Sequence, residues 1–131
     1  MVSYLNAHPR HVGRVGVLGI SLGAQIAAAA SIDRADIGAL LLVDGGFPND
    51  NLQRVRFLPP LHLIWGGADT IFPPSIGRKL QQLALGLGGP ASLDIYEGEA
   101  HDFFLNLAAR QARVAHTRAA DFFVSQLSRK P

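Results

Sequence analysis

The sequence predicts an α/β fold in which a parallel sheet is covered by helices on both faces. Three observations lead there. Short apolar runs alternate with helix-forming segments along most of the chain. The runs are apolar throughout rather than at every second position, as expected of strands buried on both sides. Glycine or aspartate closes several of them, which reads as turn punctuation. At 131 residues, with 48% apolar and 17% charged, the chain fits one domain with a substantial core.

Each element has a local reason. Residues 2–8 read as the end of a helix, because a residue before proline is pushed out of the α region and Pro9 follows His8. Val15-Gly-Val-Leu-Gly-Ile20 is a short apolar run, hence a buried strand. Residues 21–31 include Ala-Gln-Ile-Ala-Ala-Ala-Ala, a strong helix former. A second strand spans 37–43 and ends at Asp44-Gly-Gly46. A third spans 61–65 and ends at Gly66-Gly67. Pro74 suits the first turn of a helix running to about residue 85. Residues 92–96 form a fourth strand. Residues 105–128 read as a helix with a mixed amphipathic pattern in Val114, Ala115, Arg118, Phe122 and Val124. No internal repeat or domain boundary interrupts residues 1–131.

Charge and composition narrow the function. The net charge is +2, and the cations are scattered rather than massed. A nucleic-acid partner needs a concentrated basic stripe, so none is expected. The chain has no cysteine, which excludes disulfides, a thiolate nucleophile and cysteine-based metal sites, and suits the cytoplasm. The opening residues lack a signal-peptide apolar run. The apolar stretches near 24–30 and 37–43 are too short to span a bilayer, so no membrane partner is expected.

Gly19-Ile-Ser-Leu-Gly23 places a serine between a strand and a small-residue helix. On such a sharp turn the serine is lifted clear of the sheet in a strained conformation. Side chains two positions to either side would collide, which explains Gly19 and Gly23. Ala24 keeps the entering helix near the sheet. A serine that merely capped the helix would not need the flanking glycines. Ser21 is therefore the candidate nucleophile. The helix N-terminus turns free N–H groups toward it, and the Leu22 N–H is the obvious oxyanion donor.

Serine needs a base, and the base needs an orienting carboxylate. Asp69 follows the third strand and His101 the fourth, so both should lie on the rim that carries Ser21. Imidazole is the natural general base near neutral pH. Asp44, at the end of the second strand, is the reserve acid. Asp102, Glu97 and Glu99 read as solvated loop residues. His62 reads as a packed strand residue and His116 as a solvent-facing helix residue, while His8 and His11 precede the first strand. No H-E-x-x-H or other ligand cluster occurs, so no metal is expected. Gly86-Leu-Gly-Gly89 reads as a helix stop, not a phosphate loop.

With these residues in order, the sequence resembles the α/β-hydrolase superfamily, and within it the dienelactone-hydrolase-like branch. The matching stretches are 14–24, 63–74 and 95–103. The resemblance implies an α/β-hydrolase fold with Ser21 as nucleophile, Asp69 as acid and His101 as base. It implies hydrolysis of carboxylic esters, lactones or thioesters of a small acyl substrate, without a cofactor. Dienelactone hydrolases proper use cysteine as nucleophile, whereas this chain has serine, as in the esterase-like and acyltransferase relatives. The family core has eight strands and the nucleophile follows the fifth; here that strand is the first visible. The strand at 15–20 should then be a bare apolar edge, open to a second copy or another partner. The alternatives to an active hydrolase are an inactive half-domain that binds or dimerises, or an acyltransferase.

Overall fold

The structure is a computed structural model and describes residues 15–46 and 55–128; the helix expected at 2–8 lies outside them. Four parallel strands form one sheet in chain order: β1 (Val15–Ile20), β2 (Ile37–Val43), β3 (Leu61–Gly66) and β4 (Ala91–Tyr96). Between and after them lie α1 (Leu22–Ser31), α2 (Pro74–Gly86) and α3 (Arg110–Leu127). The four strands stand where the sequence places them, within a residue at either end.

Every residue of β2 and β3 is buried. The two faces of these strands feed separate cores. Leu40, Leu42, Leu61, Leu63 and Trp65 pack with Ala24, Ala27 and Ala28 of α1 and with Leu80 and Ala84 of α2. Leu41, Val43 and Ile64 pack on the other side with Ala112, Ala115 and Ala119 of α3 and with Phe103 and Phe104. Helices on both faces explain why the central strands are apolar at successive positions. Alanines on α1 let its backbone approach the sheet.

β4 departs from this pattern. It is only half-buried and carries Ser92 and Asp94. Both reach His62 on β3: Ser92 Oγ lies 2.5 Å from His62 Nδ1, and Asp94 lies 3.1 Å from Nε2. Arg118 of α3 closes the cluster by pairing with Asp94. His62 is thus packed as expected, and its polar partners come from the neighbouring strand.

The last helix begins later than the sequence predicts. Phe103–Leu105 is a single 3₁₀ turn, and α3 starts only at Arg110. Asn106 breaks the run: its side-chain oxygen accepts the Ala108 N–H, and such local bonds compete with helix. On α3, His116 is exposed, as expected, yet stacks on Phe104 and hydrogen-bonds its carbonyl.

In the described residues β1 is an edge of the sheet. On it Leu18 is 47% exposed, and on α1 Leu22 is 67% and Ile26 73% exposed. α1 carries no charged residue at all. No helix among the described residues is long and apolar enough to cross a membrane.

Candidate active site

Three loops converge at the C-terminal ends of the parallel strands, and each carries one candidate residue. Ser21 stands between β1 and α1 with φ 57° and ψ −120°, a conformation that non-glycine residues seldom adopt. Its side chain makes no capping bond to α1. The strained backbone and idle cap fit a serine displayed for chemistry better than one that ends a helix. Its own N–H donates to Val43 O at 2.8 Å, which fixes it to β2.

The elbow glycines behave differently from one another. A Cβ at Gly19 would lie 2.5 Å from Gly23 O and 2.7 Å from both Ala24 Cα and Ala27 Cβ, so glycine is required there. A Cβ at Gly23 would meet nothing within 4 Å. The collision expected at Gly23 is therefore absent: a side chain there would enter open space. Gly45 is a third close approach, since a Cβ on it would run into Ser21 O.

Asp69 is buried, and each of its oxygens has work. Oδ1 accepts the Ile71 and Phe72 N–H groups, both at 2.9 Å. Oδ2 faces His101 Nδ1 at 2.7 Å. The loop is pinned further on, where Trp65 Nε1 donates to Phe72 O at 2.7 Å. Phe72 also lies beside the His101 ring, with centroids 5.6 Å apart.

His101 Nε2 lies 2.7 Å from Ser21 Oγ. An ionised carboxylate only accepts, so the Nδ1 proton points at Asp69 and Nε2 is left to accept from the serine hydroxyl. Burial lowers the His101 pKa, but the hydrogen bond and charge of Asp69, with the charges of Asp102 and Asp44, outweigh it and leave a net rise. Leu22 opens α1, and the first N–H groups of a helix have no intrahelical partner. They sit next to Ser21, where an oxyanion would form.

The rival acids also have defined places. Asp44 is fully buried, and its two oxygens accept the N–H groups of Gly66 and Asp102. Burial pushes its pKa up to about 6, against the bonds from Gly66 and Asp102. Asp102 is half-exposed, yet it is more than a solvated loop residue. It adopts a left-handed φ of 65°, and its carboxylate lies 3.4 Å from His101 Nε2. Glu97 is exposed, while Glu99 is partly covered and accepts from Gln111. Ligand atoms of Asp44, His101 and Asp102 fall within 4.8 Å of one another. Those of Asp44 are already bonded to backbone N–H groups and that of His101 meets Ser21.

Sequence reasoning missed Gly66 and Phe72. A Cβ on Gly66 would lie 2.5 Å from Glu99 O and 2.8 Å from Ala100 O, so glycine lets the His101 loop close onto β3. The glycine pair ending β3 was its signal in the sequence. Phe72 left none, because only the folded loop brings it to His101.

The sequence pattern of the dienelactone hydrolase family matches residues 1–128. The chain belongs to that family. A search of curated proteins gives no match. Among solved structures, Thermogutta terrifontis esterase 2 phosphorylated by paraoxon is similar at 21% identity and TM-score 0.66, covering 88% of this chain and 55% of that one. Esterase PE8 is similar at 22% identity and TM-score 0.66, covering 82% and 49%. Pyrococcus horikoshii acylaminoacyl peptidase reaches TM-score 0.78 at 18% identity, covering 98% of this chain and 27% of the peptidase. These likenesses establish the α/β-hydrolase fold. This dienelactone hydrolase family member spans about half the length of the two esterases.

Proposed function

We propose that this chain is a serine hydrolase acting on carboxylic esters, lactones or thioesters through an acyl-enzyme. The observation that carries the reading is the unbroken chain from Asp69 through His101 to Ser21, 2.7 Å at each link. Ser21 Oγ attacks the acyl carbonyl while its proton passes to His101 Nε2. The carbonyl π electrons move to oxygen, and the Leu22 N–H binds the oxyanion. Collapse expels the alkoxide or thiolate, which takes the proton from His101. Water then attacks the acyl-serine, gives a proton to His101, and the carboxylic acid leaves as Ser21 recovers its proton. Asp69 keeps the imidazole in the productive tautomer and stabilises the imidazolium that forms twice. A helix N-terminus at the oxyanion costs no reorganisation at the moment of reaction. None of these steps calls on a cofactor, and the cysteine-free sequence fits a cytoplasmic setting.

A fluorophosphonate probe tests the reading. Mass spectrometry should find the adduct on Ser21 of the folded chain and none on Ser21→Ala. An unlabelled Ser21 in folded protein sinks the proposal. Product analysis with added alcohols or amines separates hydrolysis from acyl transfer.

One observation favours a second reading, a dimerising or partner-binding module. At the outer edge of the sheet Leu18 of β1 and Leu22 and Ile26 of α1 are exposed, and neither element carries a charged residue. Light scattering decides it: self-association that Ile26→Lys abolishes supports this reading, and a monomer across micromolar concentrations overturns it for a second copy.

A further inference from the structure

Ser21, Asp69 and His101 come from three separate loops, so their alignment depends on what ties those loops together. Besides the His101–Asp69 contact, two backbone bonds join the acid and base loops directly: Gly67 N–H to Tyr96 O, and Ala68 N–H to Glu99 O, each 2.9 Å. Neither reaches Ser21. The link to Ser21 runs through the end of β2, which lies between β1 and β3. Val43 O accepts the Ser21 N–H at 2.8 Å. The next residue, Asp44, accepts from both other loops. Its Oδ1 takes the Gly66 N–H at 2.8 Å, three residues before Asp69. Its Oδ2 takes the Asp102 N–H at 3.2 Å, one residue after His101.

We infer that Asp44 is a positioning residue for the Ser21–His101–Asp69 arrangement, a single buried carboxylate that holds the acid and base loops in register with the serine turn. The inference rests on the proposed hydrolase reading. Two consecutive residues, Val43 and Asp44, thereby anchor all three loops. Asp44 is not itself the acid, because His101 Nδ1 faces Asp69 and both Asp44 oxygens are taken. The two N–H groups meet different oxygens, so an asparagine would keep an acceptor at one position and turn its NH2 donor toward the N–H at the other. The backbone makes the same point from another side. Asp44 holds a left-handed φ of 50°, where aspartate and asparagine are the best tolerated side chains.

The charge also matters. The carboxylates facing His101 are Asp69, Asp102 and Asp44, and each favours the imidazolium. The charged groups facing Asp44 are Asp69, which opposes its ionisation, and His101, which favours it. Removing the Asp44 charge therefore makes His101 easier to deprotonate while loosening its loop. Those two effects pull the pH profile and the rate in directions that packing alone does not couple.

Asp44→Asn tests this, because asparagine keeps the left-handed backbone and one acceptor while losing the second acceptor and the charge. The readout is the rate of fluorophosphonate labelling at Ser21 between pH 5 and 9, with thermal melts to confirm folding. The variant should label about tenfold more slowly at pH 8, the loss expected from a misaligned base. Its pH midpoint should move to lower pH. An unchanged rate in a wild type that labels overturns the inference. So does a slower rate with an unmoved midpoint, which marks Asp44 as structural only. A wild type that never labels condemns the hydrolase reading instead. Amide hydrogen exchange in the unaltered chain then decides the inference alone, as it does if Asp44→Asn fails to fold. Slow exchange at both Gly66 and Asp102 supports the tie, and unprotected exchange at Asp102 overturns it.

Discussion

Ser21 Oγ and His101 Nε2 stand 2.7 Å apart, although 80 positions separate them in the chain. That contact needs the serine turn after β1 and the loop after β4 to lean across two intervening strands. Asp69 completes the line from β3. Replacing His101 with alanine should cut Ser21 labelling by about a thousandfold or more, since an unassisted serine is a poor nucleophile. Asp69→Asn should cut it by a comparable factor while leaving the fold intact, because the lost proton acceptor misplaces the Nδ1 proton. Equal labelling rates in wild type and either variant would remove the basis for these roles.

The two elbow glycines should respond oppositely to alanine. At Gly19 the new Cβ meets backbone of Gly23 and Ala24 that cannot swing aside. Overpacking of this kind typically costs about 1–3 kcal/mol or more. At Gly23 the space is open and the position is helical, so alanine should be neutral or stabilising by about 0.5–1 kcal/mol. Urea melts of the two variants measure both effects, and equal losses would contradict the geometry.

The pH profile of Ser21 labelling should show an acid limb set by His101. Only the neutral imidazole accepts the serine proton, and its pKa lies above the usual 6.5. Labelling should therefore fall as pH drops through a midpoint higher than 6.5. Asp69→Asn should shift that midpoint down by removing the strongest contribution that raises it. The residual rate of the variant, followed from pH 5 to 9, reports the shift.

His62 makes a stability prediction with the opposite sign. Burial lowers its pKa, against the raising effect of Asp94. A histidine held neutral in the fold but free to protonate when unfolded contributes stability that is lost as pH falls from 6.5 toward its folded value. His62→Asn should thus cost less stability at pH 5 than at pH 7.5. Denaturant titrations at the two pH values check this. His101, with a raised pKa, contributes stability that is present at low pH and lost as pH rises through its folded value, so the two histidines oppose each other.

Much of the fold was legible because its signals are local. Unbroken apolar runs at β2 and β3 need burial on both faces, and a parallel sheet between helices supplies it. The order of Ser21, Asp69 and His101, each just past its own strand, is readable for the same reason: parallel strands bring their C-terminal ends to one rim. Two local readings went astray where a neighbour distant in sequence, or a competing side-chain bond, had the final say. Asn106 stopped a helix that propensity would extend. Gly23 proved uncrowded because the atoms around a turn are set by packing and not by spacing.

Residue types and spacing alone determined the chemical identity of the candidate groups and the layered α/β architecture. Only tertiary structure decided how the groups are held. The strained φ of Ser21, the two N–H groups on Asp69 Oδ1 and the double tie at Asp44 all depend on backbone atoms brought together across the sheet. A sequence names side chains but carries no mark for which N–H a carboxylate will meet. That is why Asp44 reads as a spare acid in the sequence and as the common anchor of two loops in the fold.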